Sequence, residues 1–199
     1  MDTKPDSFDP ADGDALIVVD LQQDFLPGGA LAVRGGDQIV PLVNQYLRRF
    51  RQRGLPVFAT RDWHPPRHCS FQPAGPWPAH CVAGTPGAGF APGLQLPPDA
   101  VVVSKAQDPQ HDAYSAFSGT SLVQLLRAAG VQRLFVAGLA TDYCVLHTAR
   151  DALAAGFAVV LLADAMRPVN LRPGDGAAAI AELRALGARV ASLDGVGAV

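Results

Sequence analysis

Three residues with complementary chemistry close three apolar runs of the 199-residue chain. Asp20 follows Ala15–Val19, Lys105 follows Ala100–Ser104, and Cys144 comes shortly after Leu134–Ala137. Together they suit acyl transfer. The carboxylate can take the thiol proton, the ammonium can hold thiolate and carboxylate in register, and the sulfur can attack an amide carbonyl to give a thioester that water cleaves. Backbone N–H groups at a strand-to-helix turn would meet the oxyanion. Thr141 and Asp142 are N-capping residue types before a helix expected over Val145–Ala155 and closed by Gly156. That puts Cys144 near a helix start, where unpaired N–H groups and the macrodipole favour thiolate over thiol. Each residue also has a plainer role: Cys144 as a small buried hydrophobe, Asp20 as a strand-end cap or ion pair, Lys105 as an exposed strand-end lysine. Their joint arrival at carboxyl ends of strands, where open α/β sheets bind ligands, favours the chemistry.

A second constellation lies in the loop after the next strand. Asp62, His64, His68 and His80 cluster among Pro, Gly and Trp, and three of the five histidines are here. Alternate residues of an extended chain point the same way, so Asp62 and His64 form a paired oxygen and nitrogen donor. His80, returning from the loop, would complete an O,N,N set with open coordination positions, suited to one Zn²⁺, Fe²⁺ or Mn²⁺. The alternative is a Pro-rich loop that uses histidines for backbone hydrogen bonds. Cys69 and Cys81 form no C-x-x-C pair, so a structural zinc knuckle is not expected. Phe25 and Trp77 are pocket walls or packing anchors. His147, one turn past Cys144, points along its helix rather than toward a substrate, His111 belongs to the surface, and Asp164 is a supporting group.

The elements that must carry these residues alternate. Strands are expected at 15–19, 55–60, 100–104, 134–137, 157–163 and 189–193, with helices over 38–53, 120–130, 145–155 and 173–187. That is an α/β chain: a three-layer Rossmann-like fold with a six-stranded parallel sheet covered by helices on both faces. Residues 1–14 are expected as a flexible lead-in and 15–199 as a single domain. The glycine-rich stretch Gln22–Gly36 lacks the order of a dinucleotide fingerprint and is assigned to turns.

A net charge of −2 and a pI near 6.2 argue against nucleic acid or an anionic membrane as partner and favour a small molecule. Three cysteines are too few for a disulfide framework. With no signal peptide and no apolar run near the ~20 residues of a membrane span, the expected location is the cytoplasm. Assembly into a homo-oligomer is left open.

Five stretches carry a resemblance that spans nearly the whole chain: Leu16–Phe25, Pro27–Val33, Asp62-Trp63-His64-Pro65, Trp77–Cys81 and Gly138–Val145. Together they resemble the nicotinamidases, or pyrazinamidases, of the isochorismatase-like superfamily of cysteine hydrolases. The resemblance implies hydrolysis of nicotinamide, and of pyrazinamide, to acid and ammonia in NAD salvage. It further implies Asp20, Lys105 and Cys144 as catalytic triad and Asp62, His64 and His80 as metal ligands, with His68 similar to a histidine that ligates in some members. Phe25, Trp77 and Tyr114 would surround the pyridine ring. The N–H groups of Ala140 and Cys144 would form the oxyanion hole, with a cis peptide at Leu139–Ala140. Gln23, Leu26 and Ala106 depart from the usual Asn, Cys and Gly, and the loop between His64 and His80 is shorter than in many members. Related readings are an amidase acting on carbamoyl or ureido substrates, which generally lacks the metal set, and an isochorismate hydrolase, which does not need the cysteine. A non-catalytic metal or redox module, with Cys144 oxidised rather than acylated, is the reading from another class.

Overall fold

The computed structural model of the chain describes residues 9–193. Six strands, β1 (Asp14–Val19), β2 (Val57–Asp62), β3 (Val101–Lys105), β4 (Arg133–Leu139), β5 (Ala158–Arg167) and β6 (Arg189–Ala191), form one parallel sheet in the order β3-β2-β1-β4-β5-β6. Four helices cover it: α1 (Val40–Gln52), α2 (Leu122–Ala128), α3 (Leu146–Ala154) and α4 (Asp175–Ala185).

β1 is buried along its whole length, so after Asp14 its sequence is apolar without alternation, as a strand covered on both faces requires. Its two faces feed two cores. Leu16 and Val18 pack with Val43, Tyr46 and Phe50 of α1. Ala15, Ile17 and Val19 pack with Leu122 and Leu126 of α2, Ala149 and Ala152 of α3 and Leu183 of α4. The expected three-layer architecture is therefore present. Burying each such large apolar side chain contributes about 1.5–3 kcal/mol.

Strand order reverses between β1 and β4, which opens the ligand crevice beyond their carboxyl ends. Close approach there depends on Gly138, at φ +119 in register with Val19, because a Cβ at that position would run into the Val19 carbonyl oxygen. β5 runs on to Arg167, past its expected end, because its pairing with β4 jumps from Leu161 to Met166. Asp164 therefore lies inside the strand, accepting hydrogen bonds from Tyr46 Oη (2.8 Å) and the Leu193 N–H (2.9 Å), a structural place.

The expected lead-in ends earlier than residue 14. Asp14 opens β1, and its carboxylate accepts hydrogen bonds from Arg133 Nε (2.7 Å) and Nη2 (2.5 Å). Residues 1–8 of that lead-in and the last six residues of the chain lie outside the described residues. Among the described residues no helix is long and apolar enough to cross a membrane.

Candidate active site

Asp20, just beyond β1, is fully buried and adopts a left-handed φ of 43°, a conformation that persists for an ordinary residue only where its surroundings hold it. The Thr60 hydroxyl donates to Asp20 Oδ1 at 2.6 Å, and the Asp20 N–H bonds the Thr60 carbonyl at 3.2 Å. The other oxygen, Oδ2, has Lys105 Nζ at 3.0 Å but no donor aligned on it. It is the acceptor left free for a proton.

Lys105 reaches this place by an unexpected route. Its strand is not a neighbour of β1, since β2 intervenes. The long side chain crosses the end of β2, where Asp62 is its register partner, and Nζ meets Asp62 Oδ1 (2.5 Å), the Ala113 carbonyl (3.0 Å) and Cys144 Sγ (3.5 Å). Burial alone would strip its proton, but Asp20, Asp62 and Cys144 outweigh that and hold the ammonium well above its usual pKa.

Cys144 follows the cis peptide Leu139–Ala140 that the resemblance implied. Residues Thr141–Val145 form a π-turn that leads into α3, with the Ala140 carbonyl accepting from the Tyr143 and Val145 N–H groups. Such π-turns are frequent at functional sites. Neither Thr141 nor Asp142 caps the helix. The Asp142 carboxylate turns away and accepts from the N–H groups of Val169 and Asn170, both at 2.8 Å. The expected thiolate is also reversed. Burial pushes the Cys144 thiol well above its usual pKa, Lys105 pulls it back only partly, and the carboxylates of Asp20 and Asp62 push it further. Burial likewise raises Asp20, against the pull of Lys105. The pair is thus a thiol beside a basic carboxylate, which favours proton transfer during attack over a thiolate formed beforehand.

The second constellation assembles beside the first. Asp62, His64 and His80 offer donor atoms within 4.8 Å of one another, and all three residues are buried. His64 Nε2 lies 3.6 Å from Asp62 Oδ2 and has no hydrogen-bond partner, while His64 Nδ1 faces the Ala106 carbonyl at 3.3 Å. His80 Nδ1 is taken by the Pro78 carbonyl at 2.8 Å, leaving Nε2 as its free donor atom. Backbone carbonyls that fix one ring nitrogen and free the other are the usual second support of a metal-binding histidine. Burial would raise the Asp62 carboxyl, but Lys105 and His64 outweigh it and keep the group ionised far below the usual carboxylate range. An orphaned buried nitrogen beside an ionised carboxylate fits a divalent cation. His68 stacks beside His64, with ring centres 4.3 Å apart, but its Nδ1 bonds Ser70 Oγ (2.7 Å) and its Nε2 faces the His111 carbonyl (3.3 Å). It shares a second, outer group of donors with His64 and Asp112.

Both constellations reach one cavity, the first through Cys144 and the second through Asp62 and His80. Its walls include Asp62, His80, Ala140 and Cys144 together with the expected aromatics Phe25, Trp77 and Tyr114. Trp77 Nε1 donates to Tyr114 Oη at 3.0 Å, joining two loops at the cavity. Three further wall segments carried no assigned pocket role in the sequence: Leu31–Val33, Tyr143 and Val169. Leu31–Val33 and Tyr143 did lie in stretches that carry the resemblance, and Tyr143 is next to Cys144, whereas Val169 had no signal. His147 rests against Tyr114, ring centres 5.3 Å apart, and His111 is exposed and paired with Asp108.

Residues 14–195 match the isochorismatase domain family. The nicotinamidase of Escherichia coli is 41% identical over 201 residues, which cover 90% of this chain and 94% of that protein. Among solved structures, a pyrazinamidase of Pyrococcus horikoshii in complex with zinc is 50% identical with a TM-score of 0.87, covering 91% of this chain and 99% of that one. The L. infantum protein PnC1 in complex with nicotinate is 40% identical with a TM-score of 0.84, over 94% and 96% of the two chains. The family match runs from the first residue of β1 to beyond β6, and the chain belongs to the isochorismatase family.

Proposed function

We propose that the protein is a nicotinamidase, hydrolysing nicotinamide, and pyrazinamide with it, to the free acid and ammonia. The observation that carries this reading is the shared cavity: a thiol and two metal donors, Asp62 and His80, face one aromatic-walled space, with the buried base Asp20 grouped directly behind the thiol. The activity of the E. coli relative, the nicotinate bound by the L. infantum protein and the zinc of the P. horikoshii protein support it.

In this reading Cys144 Sγ bonds to the amide carbon while its proton passes to Asp20 Oδ2. Asp20 returns that proton to the amide nitrogen, the C–N bond breaks and ammonia leaves. A water then gives a proton to Asp20 and adds to the thioester, the C–S bond breaks to release the acid, and Asp20 returns the proton to the Cys144 sulfur. Lys105 keeps Asp20 and the sulfur in register, and the backbone N–H groups of Ala140 and Cys144 meet the oxyanion. Phe25, Trp77 and Tyr114 enclose the ring.

Asp62, His64 and His80 would hold one divalent cation, zinc by analogy with the P. horikoshii protein, although the donor set also accepts Fe²⁺ or Mn²⁺. When bound, it supplies a Lewis-acidic anchor for the pyridine nitrogen, so that the carboxamide faces Cys144. These donors speak against the carbamoyl-amidase reading. A place in cytoplasmic NAD salvage, as one hydrolase domain, is part of the proposal and accords with three unpaired cysteines.

The test is ammonia release from nicotinamide, before and after chelation, by the wild type and Cys144→Ala. Turnover is expected to vanish in Cys144→Ala while the metal is retained. Full activity in that variant would sink the proposal, and metal without ammonia release in the wild type would favour a binding module.

A further inference from the structure

We infer that Gln22 and Asp24, neither of which lines the cavity, are positioning residues that set the spacing of the Asp62, His64 and His80 donors. The inference rests on the metal reading above. Asp62 closes β2 and His64 follows two residues beyond it, whereas His80 returns from the long Pro-rich loop, so something must hold loop and strand end together to a fraction of an ångström.

Backbone bonds do part of this: the His64 N–H donates to the Cys81 carbonyl (3.0 Å), and the Ala83 N–H donates to the His64 carbonyl (2.8 Å). Two side chains from one short segment complete it. Gln22 is fully buried and all its amide capacity on this side is used. Its Oε1 accepts from the Asp62 N–H (2.7 Å), and its Nε2 donates to the Asp62 carbonyl (2.8 Å) and to the Ala88 carbonyl (2.9 Å). The side chain thus pairs with both backbone groups of a metal-donor residue, as a neighbouring strand would. Asp24, two residues on, serves the other side. Its Oδ2 accepts from the Cys81 N–H at 2.7 Å, next to His80.

Cys81 needs that hold. It is an L-residue at φ 46, in the left-handed region that an ordinary residue keeps only where its surroundings impose it. The space for the Asp24 carboxylate is itself provided by Gly87, where a Cβ would overlap the carboxylate. Gln22 and Asp24 therefore fasten the two halves of the donor set to the segment that directly follows Asp20, and the base and the metal donors share one frame.

The experiment uses the full chain, freed of metal and titrated with Zn²⁺ against a chromophoric chelator. The wild type is expected to take up one zinc. Gln22→Met, Asp24→Ala and Gly87→Ala are expected to raise the zinc dissociation constant about 10- to 100-fold, as loss of groups supporting metal ligands does. Asp24→Asn keeps an oxygen for the Cys81 N–H and is expected to stay near wild type, a rescue that a merely structural carboxylate would not show. Gly87→Ala leaves Asp24 in the chain and only displaces its carboxylate, so it decides the matter if Asp24→Ala fails to fold. Wild-type zinc affinity in the folded variants overturns the inference, as does an Asp24→Asn variant no better than Asp24→Ala. A wild type that binds no zinc overturns the metal reading itself, a result distinguishable because it needs no variant.

Discussion

Lys105 Nζ lies 3.0 Å from Asp20 Oδ2, and neither side chain reaches solvent. The same ammonium contacts Asp62 Oδ1, so one positive charge is shared by two buried carboxylates, one assigned to the base and one to the metal site. An ion of either sign left alone in such a place is costly, whereas the assembled group is tolerable because each charge has a partner and further hydrogen bonds.

Lys105→Met keeps the volume of the stem and removes the charge. In metal-free protein at pH 7 the expected loss of stability is about 3–5 kcal/mol, the usual result of breaking a buried ion pair from one side. Turnover is expected to vanish with it. Urea unfolding measures the first. A loss below about 1 kcal/mol would mean that solvent reaches the carboxylates and that the dry group described above does not exist in solution.

The alternation of apolar runs with amphipathic segments made the layers legible in the sequence, because strands buried on both faces leave no other pattern. The strand-end residues Asp20, Asp62 and Lys105 were legible for a related reason: a charged group that interrupts an apolar run must sit at its end. What stayed hidden was lateral order. Nothing in the chain says that β2 lies between β1 and β3, so the contact of Lys105 with Asp62 could not be read, nor could the crossing of the lysine over a strand end. The thiol was misjudged because a helix start argues for thiolate, while the depth of Cys144, which decides the sign, is a tertiary property. Asp142 misled similarly: its residue type suits a cap, but the chain it holds is Val169–Asn170, far away in sequence.

Acid sensitivity follows from three histidines. Burial lowers the pKa of His68, His80 and His147 below the ordinary 6.5. Between the folded and unfolded values the unfolded chain binds protons that the folded chain refuses, so this contribution to stability is complete above about pH 6.5 and is lost as pH falls through the folded values. The melting midpoint of metal-free protein is expected to drop between pH 7.5 and 5.5. His147 lies apart from the metal donors, so His147→Gln isolates its share, and the variant should show a shallower drop. An equal or steeper drop in His147→Gln would show that this histidine is not held neutral by burial.

The last relationship concerns substrate fit. Asp142 stands between Ala140 and Cys144, yet its carboxylate is spent on the N–H groups of Val169, a cavity wall, and of Asn170, which takes a left-handed φ of 54°. Hydrogen bonds to a charged group contribute roughly 1.5–3 kcal/mol each, toward the low end where solvent has access, as at Asn170. Asp142→Ala should therefore release the Val169 wall while leaving Asp20, Lys105 and Cys144 in place. The expected kinetic result is a KM for nicotinamide raised about tenfold, equivalent to about 1.4 kcal/mol of lost binding, with kcat changed much less. If kcat collapses and KM holds instead, Asp142 supports the turn that presents Cys144 rather than the wall that receives the ring, because only a displaced nucleophile slows the chemistry of substrate already bound.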